Sequence, residues 1–113
     1  MGYANSLPLI SVATVTHAGA SHTLNVAEYH QGALYTRILA MSGTGARLYL
    51  RWDESPDEAH FLPIVSGATG LRATGLSVLP IARVGLFGRC GYRVGGTTPA
   101  IRFETWLVLK ASR

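Results

Sequence analysis

A chain of 113 residues with 48% apolar and only 14% charged residues is long and apolar enough to bury one core, which excludes a disordered chain. Its formal charge of +4 comes from nine arginines, one lysine and six acids, a sparse set that leaves a bland exterior of the kind partners cover. The single cysteine, Cys90, rules out an intrachain disulfide, and no run approaches the roughly 20 apolar residues of a membrane helix.

The chain opens on an uncharged segment, Met1–Pro8, that reads as an N-terminal arm for a neighbouring subunit or as a frayed tail. Its "MGYANS" matches a short myristoylation pattern, and "LPLISVAT" before Ala18–Ala20 faintly matches a cleavable leader. No basic residue precedes Arg37, so the positive start of a leader is missing. Strand-like segments then follow at Leu9–Thr16, Thr23–His30 and Leu34–Met41.

"ARLYLRW" sets Leu48, Leu50 and Trp52 on one face and Arg47, Tyr49 and Arg51 on the other. His60–Ser66, Leu71–Leu79 and a glycine-broken Arg83–Val94 come next. "IRFETWLVLK" closes the series, with Ile101, Phe103, Thr105, Leu107 and Leu109 against Arg102, Glu104, Trp106, Val108 and Lys110. The intervening "HAGAS", "HQGA", "SGTGA", "SGATG" and "VGGTTP" read as turns. About eight short strands leave no room for crossover helices, so the sequence predicts an antiparallel β-sandwich, jelly-roll-like, over residues 1–113.

The segment Arg51–Ile64 holds four of the six acids: Asp53, Glu54, Asp57 and Glu58. Ser55-Pro56-Asp57-Glu58 has the form of a capping box, which predicts a polar connection with at most one helical turn, and Asp53 could open an Asx turn instead. A calcium loop wants a glycine at its sharp bend, and this stretch has none. A glycosidase pair needs two carboxylates facing each other across a cleft, with Glu28 or Glu104 as the distant partner.

His17, His22, His30 and His60 show no diagnostic metal spacing and read as turn histidines. Cys90 has no helix start beside it and reads as a small buried hydrophobe. The glycine-rich "SGTGAR" and "SGATGLR" lack the ending of a phosphate loop. Catalytic residues, cofactors and metals are therefore not expected, and the chain reads as a non-enzyme.

From "LYLRWDESPDEAHFLPI" through "GYRVGGTTPAIRFETWLVLK", roughly residues 46–110, the cadence resembles small β-sandwich modules on bacteriophage virions. Head decoration, or cement, proteins are the particular resemblance. It implies a structural virion protein that stabilises the head as a homo-oligomer, a trimer or higher, bound to the major capsid protein or other virion subunits. Contact is expected through Arg47, Tyr49, Arg51, Trp106 and the N-terminal Gly2, Tyr3 and Asn5. A carbohydrate-binding or host-attachment module is the alternative, with Trp52, Trp106 and tyrosines as stacking platforms and Asp53 or Asp57 gripping hydroxyls. A single-stranded nucleic-acid-binding β-barrel ranks third, on the Arg47–Tyr49–Arg51 face.

Overall fold

The computed structural model describes residues 4–27, 29–66, 70–82 and 84–111, which form an all-β structure with no helix among them. The strands are β1 (Ala4–Val15), β2 (Gly19–Ala20), β3 (Leu24–Asn25), β4 (Tyr29–Ser55), β5 (Leu62–Ser66), β6 (Gly75–Ile81) and β7 (Phe87–Ala111). All pair antiparallel in one sheet whose main path, β1-β7-β4-β5, does not close on itself.

The fold is organised by the pairing of β4 with β7 along nearly their whole length, from Tyr29↔Ala111 to Ser55↔Phe87. A straight strand of 27 residues would span about 90 Å at ~3.3 Å per residue. The molecule is only 44 Å in its longest dimension, so the ribbon must turn. It turns where the register slips, between Ser42 and Arg47 on β4 and opposite Gly95 and Thr97 on β7. Gly43 and Gly96 sit there at φ 103° and 111°, a region open to glycine and costly for other residues. "SGTGA" and "VGGTTP" are therefore corners within continuous strands, not the hairpin turns their composition suggested.

Folding the ribbon over gives two layers. One holds β1, residues 101–110 of β7, residues 29–42 of β4, and β6. The other holds β2 and β3, residues 87–95 of β7, residues 47–55 of β4, and β5. With β2 and β3 counted as one edge, the first layer takes the first, eighth, third and sixth segments and the second takes the second, seventh, fourth and fifth. That order is consistent with the jelly-roll-like sandwich expected from the alternation. Three of the four strand prolines, Pro8, Pro63 and Pro80, lie on the edge strands β1, β5 and β6, and the fourth, Pro99, lies in β7 where its register with β4 slips at the corner.

Between the layers lies the core. Leu48, Leu50 and Trp52 from one layer meet Leu34, Ile38, Ile101, Phe103, Leu107 and Leu109 from the other in one buried cluster. Both alternations read from the sequence hold side chain by side chain. The Trp52 indole packs so closely on Gly88 that a Cβ there would collide with the ring.

Differences from expectation lie at the strand ends. Residues 4–8, expected as part of an arm, pair instead with this chain's own β7, from Ala4↔Lys110 to Pro8↔Trp106. "HQGA" lies inside β4, and the Thr23–His30 segment contributes only Leu24–Asn25 before β4 begins. The Leu71–Leu79 segment is displaced to Gly75–Ile81, with Leu71 alone bridging Leu48.

Candidate functional site

The acidic stretch does three separate things. Asp53 lies on the same outer face of β4 as Arg51 and opposite Arg89 of β7, yet is only 2% exposed. Arg51 Nε donates to its Oδ1 at 2.9 Å and Arg89 Nε to its Oδ2 at 3.2 Å. The Arg89 guanidinium lies 3.9 Å above the Phe61 ring, so the pair is braced from outside.

Asp57 organises the connection itself. Its Oδ1 accepts the backbone N–H groups of Ala59 and His60, both at 2.9 Å, and the Ser55 hydroxyl at 3.1 Å. The His60 ring Nδ1 lies 2.7 Å from Oδ2. The His60 and Ala59 backbone donors, then the His60 ring, hold the carboxyl far below the usual carboxylate range. Glu58, by contrast, is exposed at φ 67°, and its side chain does not complete the expected capping box. An Asx-type turn does form, but at Asp57 rather than Asp53.

Among the described residues no group of three or more His, Cys, Asp and Glu is placed to hold an ion. Glu104, weighed as a distant carboxylate partner, is ion-paired to Arg37 at 2.7 Å on the outer face of the other layer. Cys90 is buried, and burial, reinforced by the Asp53 charge and opposed by Arg51, pushes its thiol up to about 12. His17, His22 and His60 are all exposed. Trp52 is wholly buried with its Nε1 donating to the Val84 carbonyl at 3.1 Å, so it cannot be the stacking platform the glycan reading assigned to it.

The expected contact residues fall on two opposite faces. Arg47, Tyr49 and Arg51 do share the outer face of the second layer. The Tyr49 ring is covered there by the Arg93 guanidinium at 3.9 Å and packed by Gly70. Arg51 lies over Gly91 and reaches Asp53. Trp106 lies on the outer face of the first layer. Of the N-terminal residues, Gly2 and Tyr3 lie outside the described residues, and Asn5 pairs with Leu109 in β1.

Trp106 belongs to a row that sequence reading did not assemble. At one level across four strands stand Pro8, Trp106, Tyr35 and Val78, and at the next stand Val108, Ala33 and Pro80. Leu76 and Val78 are 65% and 52% exposed, and Tyr35, Leu76, Trp106 and Val108 line a shallow apolar groove. The Arg37–Glu104 pair borders it. The signal was present in "GLSVLPI", where Leu76, Val78 and Pro80 alternate outward, but only pairing of β6 with β4 joins them to Trp106.

The fold is similar to that of the SPBc2 prophage-derived protein YomS, with a TM-score of 0.53 and 13% identity over 96% of this chain and 95% of that one. It is also similar to a chain in the structure of infectious bursal disease virus Gx strain, with a TM-score of 0.53 and 11% identity. That match covers 97% of this chain but 32% of the viral one. At these identities the likeness is one of fold. No family model matches the sequence, and no curated protein matches it.

Proposed function

We propose that this chain is a structural, non-enzymatic component of a virus particle, an oligomeric decoration or cement protein that stabilises a capsid by binding its subunits. The observation that carries the reading is the exposed apolar row Pro8–Trp106–Tyr35–Val78 on one sheet face. Apolar and aromatic surface of this kind gains most when a neighbour removes it from water. The fold likeness to a prophage-derived protein and to part of a viral structure supports the setting. Low overall charge and an Arg-dominated basic set fit a surface made for contact.

Under this reading the apolar face meets the shell, and the groove at Trp106 receives an apolar side chain from it. Native mass spectrometry of the purified chain, together with a fractionation of infected-cell lysate, tests the proposal. The expected result is a homo-oligomer that co-fractionates with heads. A monomer found only in the soluble fraction contradicts it.

A further inference from the structure

The corner end of the second layer carries three arginines that no described residue balances. The isolated antiparallel bridge between Leu48 of β4 and Leu71, in the connection between β5 and β6, sets Arg47 and Arg72 side by side on neighbouring segments. Arg93 stands opposite Tyr49, two residues along β4 from Arg47, with its guanidinium on the ring. Arg72 and Arg93 are exposed and Arg47 is partly buried. Among the described residues no carboxylate pairs with any of the three, whereas Arg37, Arg51 and Arg89 each have one within 3.2 Å. Like charges directly across neighbouring strands repel. The described fold offers no counter-charge at this end.

The opposite end of the same layer carries the complementary charge. Arg47 and Ser55 are separated by eight residues of strand, roughly 26 Å at ~3.3 Å each. Past Ser55 the Asp57 carboxylate is held ionised by its backbone donors. Glu58 beside it is exposed, has no hydrogen bond or ion pair among the described residues, and is turned outward at φ 67°. A non-glycine residue in that region is a constrained conformation that the Asp57 turn maintains. The layer is therefore charged positively at one end and negatively at the other.

We propose that the acidic connection 56–59 of one copy docks on the Arg47–Arg72–Arg93 cluster of the next, joining copies head to tail. The proposal rests on the oligomeric reading above and names its contact. Such an interface uses two different patches, so it closes into a ring or continues as a row and does not form an isologous pair. Arg93 is already held against Tyr49, so its N–H edges lose little freedom when they meet a carboxylate. Guanidinium forks and carboxylates pair in the bidentate geometry that favours this choice of basic residue.

Charge exchange tests it. Glu58→Lys disables the acidic end, and Arg47→Glu with Arg93→Glu disables the basic end. All three substitutions lie on exposed or partly exposed side chains, and circular dichroism checks that each variant folds. In sedimentation velocity at low salt, wild type is expected to associate, and high salt to reduce that association. Each variant alone is expected to be monomeric. An equimolar mixture of the two is expected to recover association, because each supplies the end the other lacks.

A wild type that stays monomeric at low salt, or variants that associate like wild type, overturns the contact. So does a mixture that fails to recover. The virion reading is separable: association unchanged by these variants but lost in Val78→Glu places the copies' contact on the apolar face. Shell binding by a monomeric wild type likewise spares that reading while overturning the head-to-tail contact.

Discussion

The Tyr92 and Phe103 rings meet edge to face, 5.5 Å between centroids at 75°, although they lie eleven residues apart on the same strand. In an extended strand that separation would be about 36 Å. The contact exists because β7 turns at Gly95–Gly96 and returns over itself, carrying β4 with it. It ties the two layers together from within one strand, and it makes the glycine corner a condition of the core.

The corner itself is the first place to test. A Cβ at Gly96 would lie 2.8 Å from the Gly45 carbonyl oxygen, at a φ of 111° that an L-residue rarely adopts. Gly96→Ala is expected to cost about 1–3 kcal/mol. Urea unfolding should show a lower midpoint at unchanged slope. Wild-type stability in this variant would show that the ribbon does not need its corner glycine.

Two core hydroxyls make the opposite prediction. Thr36 and Thr105 face each other across β4 and β7, both buried, and neither hydroxyl has a partner among the described residues. Burying an unsatisfied hydroxyl costs about 1–3 kcal/mol, and valine has nearly the same shape. Thr36→Val with Thr105→Val is expected to raise the thermal midpoint. A lowered midpoint would mean that the hydroxyls are hydrogen-bonded in solution.

Cys90 should be inert in the folded protein. Burial lifts its thiol to about 12, so almost no thiolate exists near neutral pH, and the side chain is sealed under the sheet. Ellman's reagent is expected to leave it unmodified at pH 8 and to titrate one thiol after denaturation. Rapid modification of native protein would contradict the packing around Trp52 and Cys90.

The connection after Ser55 should respond to acid with a definite sign. The Asp57 carboxyl lies well below its ordinary 3.8 when folded, so its contribution to the turn is complete above that value. It is lost as pH falls through the acid range below 3.8 toward the folded value. By NMR, the Asp57 carboxyl carbon is expected to keep its ionised shift at pH values where an unperturbed aspartate has protonated. Asp57→Ala is expected to free the Ala59 and His60 amides to exchange. An ordinary titration at Asp57 would contradict the turn.

The sequence was legible where alternation was strict. Arg47–Trp52 and Ile101–Lys110 present the faces that period two dictates, because each is a central segment with one side on the core. It was illegible where one signal serves two geometries. Glycine clusters such as Gly43–Gly45 mark a corner as readily as a hairpin, and only the partner strand's equal bend distinguishes them. The apolar row was hidden for a related reason: Val78, Tyr35 and Trp106 are far apart in the chain and join only through register. Asp53 looked like a loop residue because Arg89, which helps to cover it, is 36 residues away and joins it only through the pairing of β4 with β7.

The central claim is that the Trp106–Val78 face binds and stabilises a capsid. The most direct measurement is the thermal disruption temperature of purified heads lacking this protein, with wild type and with Val78→Glu added back. Val78 is 52% exposed on an edge strand, so the variant's own stability should change little. The account predicts that wild type raises the disruption temperature and that Val78→Glu does not. Equal stabilisation by both, or none by either, would contradict it.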